Sequence, residues 1–557
     1  MKFKKVVSLC ITSLLALNLV ACSSTDNGSG GEGETPSKQA AQANTLYSNG
    51  GPEEFFEAPW LNPGSFVYNK VLYDRLIYAD ENLDPISGEG QLAKTYNMSE
   101  DGKNLTFELR ENIFWHDGEP ITAEDIKWSI EYSLKTTVLN NVFANTFKSL
   151  EGATAYLDGK ADEISGIVID GNKIELKFEK LAPDALLTFT QFSPLPKKHL
   201  KDVDPVTFQQ SEFFRNPIGS GPFKVEEVKM GNYTTLAGFD KYWDGTPSYK
   251  MHLNPSAGDS DPNLVTNAKG GLLDYAYTKN IADVKALEGV EGINVDKVDV
   301  RYTRLFFANK FKKADGSEAP LADKRVRQAI MYALDMDKIL EGIFDGSAEK
   351  ANSLTPNGVD KVDGLNNYDY DPEKAKALLK EANWDPNTEL DVVYYYDDQQ
   401  TVDLMSIIQN YLSQVGIKMK FRLVEGDLAT LLWSLPEDPV NGPSAVDFDL
   451  CYGATAALSM HEYYDRYQTG AALNSHTPGS EELDKLIEAT NATIDAKEQR
   501  EAFHNLQKYE NEELFVIPLY YQPIYVITSD KVQNMPEKLG NPQFNYKWDV
   551  HKWTLAE

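Results

Sequence analysis

The alternation of apolar and polar positions predicts a mixed α/β chain. Apolar residues alternate with polar ones over residues 105–109 and 417–423, which is the spacing of half-buried strands. Over residues 402–415 the apolar positions instead recur every three to four residues, as in an amphipathic helix. A strand-like run over residues 390–396 comes before that helix and another strand follows it. This succession favours a parallel βαβ unit.

Capping residues mark the beginnings of several predicted helices. Thr122 is followed by Glu124 and Asp125, which is typical of a capping box with acidic residues in the first helical turn. Asp371 followed by Pro372 is typical of an N-cap with proline at the first helical position. We therefore expect helices to begin at both places.

Other local patterns predict shorter elements. A strand is predicted over residues 44–47 and another over residues 272–275, and residues 70–78 carry apolar side chains at helical spacing. A β-hairpin is predicted over residues 164–178, where an Asp-Gly-Asn turn separates two alternating segments. The Gly- and Pro-rich run over residues 216–222 is predicted to be a rigid turn.

The first residues of the chain have the features of an export signal. Lysines within residues 2–5 precede a largely apolar run over residues 6–20, too short and wrongly flanked for a stable membrane span. The sequence Leu-Val-Ala over residues 19–21 and then Cys22 resembles the lipobox of bacterial lipoproteins. This resemblance implies cleavage of a signal peptide over residues 1–21 and diacylation of the Cys22 thiol. The alternative is an ordinary signal peptide with a cysteine near the cut.

Residues 22–43 are predicted to form a lipidated, flexible tether. They are polar and rich in Gly and Ser, and such a composition buries too little apolar surface to order itself. No later apolar run approaches the length of a membrane span. The expected location is the extracellular face of the cell membrane, where the lipid would hold the folded part of the chain.

The net charge and the number of cysteines argue against nucleic-acid partners and against a disulfide-stabilised fold. The chain has 85 acidic and 54 basic residues, a formal charge of −31 that repels phosphate backbones and anionic lipid surfaces. Nucleic acid is therefore not an expected partner. Cys451 is the cysteine that remains beyond the signal and Cys22, so no disulfide is expected.

Motifs that could carry catalysis or hold a metal are weak. His116 and Asp117 are adjacent, but an Asp-Gly pair between a predicted strand and a predicted helix is typical of a turn. His461 has Asp465 four residues on, where the zinc-protease pattern needs a second histidine. The seven histidines are scattered. No metal, no cofactor and no enzymatic activity are expected.

Three blocks, in chain order, resemble one protein family. The first covers residues 99–125 and contains Trp-His-Asp-Gly-Glu-Pro. The second joins residues 216–223 with the Tyr-Trp-Asp-Gly of residues 242–245, and the third covers residues 323–335. Together they resemble the oligopeptide-, dipeptide- and nickel-binding proteins of ABC importers, extracellular solute-binding protein family 5, with coverage from about residue 44 to the C-terminus.

The resemblance implies an α/β, two-lobed clamp of the type II (cluster C) periplasmic-binding-protein class, with an extra inserted domain. Domain I would combine residues 44–67, 191–296 and 515–557. Residues 68–190 would form domain II, inserted in the first lobe, and residues 297–514 would form domain III, the second lobe. Crossings near residues 296 and 515 would act as a hinge, and ligand binding would favour the closed form.

The resemblance also implies two edges for a bound peptide. Peptide receptors of this family hold the ligand as an added strand through main-chain hydrogen bonds. The matching positions here are Ser65 and Phe66 on one edge and Gly453, Ala454 and Thr455 on the other. Glycine at position 453 would let a second backbone come close.

Four more positions fall where the family lines its cleft, and they are Tyr277, Thr278, Tyr520 and Tyr521. Trp433 is a further candidate for the wall of the cleft. For each of the aromatic residues, a place in the hydrophobic core is the alternative interpretation.

One departure from the family concerns the amino end of a peptide ligand. Oligopeptide receptors of the family commonly have an Asp a few residues beyond the glycine, where it pairs with the ligand's ammonium group. This chain has no Asp over residues 456–461, and Glu462 is the nearest carboxylate. Recognition of a free amino terminus is therefore left open, and an oligosaccharide becomes a second candidate ligand.

The sequence predicts a monomeric, lipid-anchored substrate-binding protein of an ABC importer. It would capture oligopeptides between its lobes and deliver them to membrane permease subunits. An oligosaccharide receptor of the same family and a surface receptor for peptide pheromones stay open as alternatives. The identity and length of the ligand are not predicted.

Overall fold

The computed structural model describes residues 44–52, 54–61, 67–256, 261–298, 302–358, 360–471 and 474–556. The predicted signal peptide, Cys22 and the tether lie outside these residues. Ser65 and Phe66 also lie outside them, so their predicted role in ligand binding stays a prediction. All of the described residues belong to one compact unit that spans residues 42–557.

The strands within these residues form five sheets. In chain order the strands are β1 (Thr45–Gly51), β2 (Ile77–Ala79), β3 (Pro85–Gly90), β4 (Ala93–Met98), β5 (Asn104–Leu109), β6 (Ile167–Asp170), β7 (Lys173–Lys177), β8 (Phe223–Lys229), β9 (Tyr233–Gly238), β10 (Lys250–Pro255), β11 (Tyr275–Thr278), β12 (Ile293–Val298), β13 (Tyr302–Ala308), β14 (Glu349–Lys350), β15 (Glu389–Tyr394), β16 (Lys418–Leu423), β17 (Leu450–Ala456), β18 (Ile517–Tyr521), β19 (Ile524–Ser529), β20 (Val532–Gln533) and β21 (Thr554–Leu555).

The α-helices pack on and between these sheets. They are α1 (Val67–Leu72), α2 (Ala123–Ser133), α3 (Asn141–Lys148), α4 (Ala153–Leu157), α5 (Ala185–Gln191), α6 (Lys197–Leu200), α7 (Leu264–Lys269), α8 (Ile281–Leu287), α9 (Lys324–Ala333), α10 (Met336–Phe344), α11 (Pro372–Glu381), α12 (Gln399–Gln414), α13 (Leu428–Trp433), α14 (Met460–Tyr464), α15 (Glu481–Thr490) and α16 (Ala496–Glu513). Short 3₁₀ helices cover Pro205–Gln210, Glu212–Arg215, Asp465–Tyr467 and Val550–Lys552.

Two large sheets organise the molecule. The seven-stranded sheet has the order β12-β19-β11-β1-β10-β9-β8, and the six-stranded sheet has the order β14-β18-β13-β17-β15-β16. A four-stranded sheet, β4-β5-β7-β6, comes from the chain between β1 and β8. The seven-stranded sheet therefore combines strands from separate parts of the sequence. The domain boundaries given above stay predictions.

The six-stranded sheet is buried on both faces. Leu305 and Phe307 of β13 belong to one apolar cluster, and Phe306 and Ala308 belong to another. Successive side chains of a strand point to opposite faces, so this division puts one cluster on each side of the sheet. Cys451 of β17 is buried in the first cluster and has a free thiol.

The chain passes between the two large sheets at two short connections. One connection joins β12 to β13, and the other joins β18 to β19 through Gln522 and Pro523. β13 and β18 are antiparallel neighbours in the six-stranded sheet, with Arg304 opposite Tyr520. Both connections therefore leave that sheet from adjacent strands.

Most of the local predictions are confirmed. Thr122 forms a capping box with Asp125, and Asp371 caps α11 with Pro372 in its first turn. The hairpin is β6 and β7. The predicted βαβ unit is β15, α12 and β16, whose two strands are parallel neighbours.

The predicted bounds of one helix and one strand are wrong. The helix predicted over residues 70–78 ends at Leu72, because the Leu72 carbonyl accepts hydrogen bonds from the N–H groups of Ser220 and Gly221. A Cβ atom at Gly219 would lie 1.8 Å from that carbonyl oxygen, so the distant turn needs glycine in order to close the helix. The strand predicted over residues 272–275 begins only at Tyr275.

Candidate ligand-binding site

A cavity of about 900 Å³ lies between the two large sheets. Sites for small molecules typically have roughly 300–1,000 Å³. One wall belongs to connections of the seven-stranded sheet, and the other wall belongs to the six-stranded sheet and the beginning of α12. The lining residues are Asp261, Pro262, Lys279, Asn280 and Asp283 on the first wall, and Tyr302, Arg304, residues 395–401, Leu404, Tyr452, Tyr520 and Gln522 on the second.

The position of the cavity follows from the topology of the six-stranded sheet. β15 is parallel to both β16 and β17, and residues 395–398 join the carboxyl end of β15 to α12. Crevices at the carboxyl ends of parallel strands are common ligand sites in α/β folds. Asp398 fixes the beginning of α12, because its carboxylate accepts hydrogen bonds from the N–H group and the hydroxyl of Thr401, at 2.7 and 2.9 Å.

A cage of tyrosines surrounds the guanidinium of Arg304. We use the name tyrosine cage for Tyr302, Tyr396, Tyr452 and Tyr520. The guanidinium carbon lies 4.1 Å from the ring centre of Tyr396, 5.0 Å from that of Tyr302 and 5.7 Å from that of Tyr452. The hydroxyls of Tyr452 and Tyr520 are hydrogen bonded to each other at 2.7 Å. These cation–π contacts hold a permanently charged group at the cavity wall.

The backbone of β13 also directs Arg304. The pairing of β13 with β18 shifts register between Arg304 and Leu305, where Tyr520 and then Pro518 are the opposite residues. A β-bulge of this kind changes the direction of nearby side chains. The Nε atom of Arg304 donates a hydrogen bond to Oε1 of Gln522 at 2.6 Å, which ties together the two segments that connect the sheets.

Carboxylates on both walls give the rest of the cavity an acidic character. They are Asp261, Asp283, Asp397 and Asp398. Burial raises the pKa of Asp283, and a hydrogen bond from Thr278 opposes this effect. Burial likewise raises the pKa of Asp261. The cavity therefore combines a fixed cation in an aromatic cage with several carboxylates.

Of the cleft positions predicted from the sequence, Tyr520 lines this cavity. Tyr277 and Thr278 are buried in β11, between β1 and β19. The hydroxyl of Tyr521 accepts a hydrogen bond from Lys361 at 2.8 Å and faces the carbonyl groups of residues 353 and 355. Ligand contact by Tyr277, Thr278 and Tyr521 stays a prediction.

The predicted positions on β17 lie next to the cavity. A Cβ atom at Gly453 would lie 2.7 Å from Cε2 of Phe307, so glycine here makes room for a packed ring. Trp433 packs on the same Phe307 ring, with 4.9 Å between ring centres. Ala454 and Thr455 pair with β13. The need for glycine at this position thus arises from core packing, whether or not a ligand also comes close.

Glu462 is held within the protein and is not part of the cavity wall. Its carboxylate accepts hydrogen bonds from the N–H group of Leu458 at 2.6 Å and from the amide of Asn140 at 3.2 Å. Burial raises the pKa of Glu462 to about 7, and these hydrogen bonds lower it in part. Its role in ligand binding stays a prediction.

The segment that contains Glu462 also forms a clasp with Asp184, which immediately precedes α5. Nδ1 of His461 lies 2.9 Å from Oδ1 of Asp184, and the hydroxyl of Ser459 donates to Oδ2 at 2.7 Å. Burial lowers the pKa of His461, but the Asp184 charge outweighs this effect, and the resulting pKa is about 9. We call Asp184, Ser459 and His461 the Asp184 clasp. It joins the six-stranded sheet to the part of the chain that carries the four-stranded sheet.

The adjacent His116 and Asp117 do not form a catalytic pair. The N–H group of Gly219 donates to Nδ1 of His116 at 3.1 Å, and Nε2 of His116 bonds to the carbonyl of Gly221 at 3.0 Å. Burial lowers the pKa of His116 to about 4, so the ring is neutral. Both ring nitrogens therefore hold the turn over residues 216–222, which closes the end of α1.

One group of side chains is close enough to hold a metal ion. Asp244, Asp549 and His551 come together, within the part of the chain that the structure describes. Nζ of Lys552 lies 2.9 Å from Asp244 and 3.5 Å from Asp549. The ammonium of Lys552 therefore pairs with both carboxylates of this group.

The model of one known protein family matches most of the chain. A model of the bacterial extracellular solute-binding proteins, family 5, middle region, matches residues 88–464. The chain belongs to this family. None of the helices described for this family 5 protein has both the length and the apolar composition needed to cross a bilayer.

Relatives and solved structures extend the similarity over nearly the whole chain. The oligopeptide-binding protein AppA of Bacillus subtilis (strain 168) is 25% identical over 580 residues, which cover 99% of this chain and 98% of AppA. The structure of the ABC transporter substrate-binding protein CtaP of Listeria monocytogenes has a TM-score of 0.73 at 23% identity and covers 92% of this chain and 99% of CtaP. The structure of B. subtilis AppA in complex with a nonapeptide has a TM-score of 0.72 at 20% identity. It covers 92% of this chain and 99% of the AppA chain. The fold is therefore the two-lobed, type II periplasmic-binding-protein fold.

The packing role of Gly453 predicts the effect of adding one methyl group. Gly453→Ala forces the Phe307 ring aside, and we expect a loss of roughly 1–3 kcal/mol in the free energy of unfolding. Gly342→Ala is the matched control in the same lobe, because nothing lies within 4 Å of a Cβ atom there. This exposed helical position should instead gain up to about 1 kcal/mol. Urea unfolding measures the free energy of unfolding of both variants. Equal changes in the two variants would contradict the packing role of Gly453.

The Asp184 clasp predicts a pH-dependent contribution to stability. The folded pKa of His461, about 9, lies above its ordinary value of 6.5, so the stabilisation is complete below pH 6.5 and disappears as the pH rises through 9. We expect His461→Asn to lower the unfolding free energy by roughly 3 kcal/mol more at pH 6 than at pH 9.5.

The control for this pH dependence is His199→Asn, since His199 forms a partly exposed pair with Asp117 at 2.8 Å. The effect of that change should stay within about 1 kcal/mol at every pH. Urea unfolding from pH 5.5 to 9.5 measures both variants. A constant difference between wild type and His461→Asn would contradict the assignment of a charged clasp.

Proposed function

We propose that this protein is the substrate-binding protein of an ABC importer and that it captures oligopeptides in the cavity between its lobes. The observation that carries the proposal is a free strand edge beside the cavity. β15 ends opposite Tyr452, whereas β17 continues to Ala456. Within the described strands, residues 453–456 therefore pair with β13 on one side and with no strand on the other.

A free strand edge next to a cavity suits a peptide better than most other ligands. An extended peptide can pair its main-chain N–H and C=O groups with such an edge, whatever its side chains are. The cavity of about 900 Å³ offers room for side chains and for bridging water. Family membership and the oligopeptide-binding protein AppA, to which the chain is 25% identical, support the same ligand class.

An oligosaccharide is the second candidate ligand, and the tyrosine cage favours it. The four tyrosines of the cage line the cavity wall, and their aromatic rings could stack on sugar rings. A neutral sugar, however, has no charge to complement the charged groups of the cavity wall. We therefore rank it below a peptide.

We also propose that the protein is anchored at the extracellular face of the cell membrane. The basic, apolar and small residues before Cys22 support a lipid anchor at the extracellular face of the cell membrane. The bound peptide would pass from there to permease subunits of the importer. Closure of the lobes on the ligand would give the permease a signal that the site is occupied.

The ligand class can be tested with the full-length protein purified from membranes in detergent. We expect a mixed pentapeptide library to raise the melting temperature, since a ligand at a hundred times its dissociation constant adds about 2.7 kcal/mol. Native mass spectrometry should detect the bound peptides and recover them unchanged. Xylo- and cello-oligomers are the controls. Stabilisation by the sugars but not by the peptides would contradict the proposal.

The anchor can be tested with Cys22→Ser. This change removes the thiol that would carry the lipid, so we expect the protein to lose incorporation of labelled palmitate and to leave the membrane fraction. Cys451→Ser is the control, because this buried thiol lies far from the signal in the sequence and its change should leave labelling intact. Palmitate labelling that persists in Cys22→Ser would contradict lipidation at this residue.

A further inference from the structure

Two parts of the molecule are joined by few covalent connections. The seven- and four-stranded sheets share one apolar cluster, whereas the six-stranded sheet packs between two others. We call these the seven-stranded part and the six-stranded part. The chain passes between them at the β12–β13 and β18–β19 connections. Within the described residues their other contacts are noncovalent, so such contacts can break and form again.

Capping residues of two helices in the seven-stranded part reach the six-stranded part. Asp184 is the N-cap of α5, but within the described residues its side chain does not cap that helix. Its carboxylate oxygens instead lie 2.9 Å from Nδ1 of His461 and 2.7 Å from Oγ of Ser459. Asn140 caps α3 through its side-chain oxygen, and its Nδ2 donates to Glu462 at 3.2 Å. Both helices therefore bind α14 or its N-cap.

Apolar side chains pack across the same junction. Leu458, just before α14, is buried in the apolar cluster of the seven-stranded part. Ile494 lies over Gly102, because a Cβ atom at Gly102 would be 2.9 Å from Cδ1 of Ile494 and 3.1 Å from Cδ1 of Leu181. The junction is therefore a packed interface rather than a single ion pair.

The strand edge that is proposed to bind the peptide continues into this junction. β17 ends at Ala456, and Ser459 is the N-cap of α14. The N–H group of Leu458, between them, donates to the Glu462 carboxylate that also bonds across to α3. A peptide paired with residues 453–456 would therefore fix the strand end that leads into α14.

On these grounds we propose that α14 acts as a latch, which binds the capping residues of α3 and α5 when the lobes enclose a ligand and must release them before the cavity opens. We use the name α14 latch for the Asp184 clasp together with the hydrogen bond between Asn140 and Glu462. The inference rests on the proposed function, because the latch is expected to retain the peptide. Its opening, however, can be measured without any ligand.

Several ionisable groups face the α14 latch from the elements packed against it. Burial lowers the pKa of His461, and the charges of Asp184 and Asp465 raise it to about 9. Burial raises the pKa of Glu462, and the charges of Asp184 and Arg466 act on it in opposite directions. Burial raises the pKa of Asp465 to about 6, and the His461 charge opposes this effect. Three carboxyl groups thus surround one imidazolium.

The direction of the pH dependence follows from these groups. The pKa values of His461 and Glu462 in the closed latch, about 9 and about 7, lie above their ordinary values of 6.5 and 4.5. Opening is expected to return them toward the ordinary values, so the closed form loses stability as the pH rises through 7 and then through 9. The pKa of Asp184 is lowered, so this group titrates only in acid. We therefore expect the latch to hold more firmly at pH 6 than at pH 9.5.

Opening can be followed by energy transfer between two dyes on the ligand-free, full-length protein in detergent. The dyes replace the exposed side chains of Lys160 and Lys485, one in each part, through non-canonical amino acids that leave Cys22 intact. We expect the transfer efficiency of the wild type to fall from pH 6 to pH 9.5. His461→Asn should show the low efficiency already at pH 6. The matched control is His199→Asn, since His199 and its partner Asp117 both belong to the seven-stranded part, and it should follow the wild type.

Retention of ligand is measured as the release of a tritiated, mixed pentapeptide library into an excess of unlabelled library. We expect His461→Asn to speed release roughly ten- to hundredfold at pH 6, because a charge-assisted hydrogen bond is lost. At pH 9.5 the difference from the wild type should nearly disappear. Adding Asp184→Asn to His461→Asn should have little further effect, since the two side chains act as one pair.

The possible outcomes separate this inference from the proposed function. A wild-type transfer efficiency that is the same at pH 6 and pH 9.5 overturns the latch, and this result does not depend on any variant folding. Peptide release that is unchanged in His461→Asn at pH 6 overturns it as well. If the transfer efficiency changes as expected but no peptide is retained, the latch stands and the proposed ligand class fails.

Discussion

The antiparallel pairing of β13 with β18 is the constraint on which the candidate site depends. These strands are neighbours in the six-stranded sheet. The chain enters β13 from the seven-stranded sheet and returns to that sheet after β18. Their pairing puts Arg304 opposite Tyr520, and the hydrogen bond from Arg304 to Gln522 joins the two connections. The same few residues therefore form the floor of the cavity and the link between the sheets. A ligand that contacts them would act directly on the place where the lobes meet.

Electrostatics acts on two length scales in this protein. The formal charge of −31 repels anions at long range, but salt screens exposed charges beyond about 8 Å at physiological ionic strength. Inside the cavity the nearest charged groups determine which ligand charges are favourable. These groups are one guanidinium, one ammonium and several carboxylates. A ligand with charges of both signs would match such a wall better than a strong anion. We therefore expect the cavity to select a ligand by the arrangement of its charges rather than by its net charge.

Local patterns in the sequence were sufficient wherever the determining contacts are local. The capping box at Thr122 and the β6–β7 hairpin depend on residues within a few positions, and both are confirmed. The helix beginning near Lys70 was predicted too long, because the residues that close it, Ser220 and Gly221, are far away in the sequence. The reason for glycine at position 453 is likewise distant, since the packed ring belongs to Phe307.

Arg304 was missed by sequence reasoning, although a weak signal exists. Tyr302 and Arg304 alternate with buried residues in β13, and a polar position in a strand usually faces solvent. In this fold the exposed side of that strand end is a cavity wall instead. Nothing in the local sequence distinguishes these two cases. The opposite wall comes from residues near 280, and the other tyrosines come from the connection after β15, from β17 and from β18.

The most direct measurement is a crystal structure of the protein with a peptide retained from the pentapeptide library. The proposed site predicts electron density for the peptide between the two large sheets, paired with the strand edge at residues 453–456. Density for the peptide on the outer surface of one lobe would contradict it.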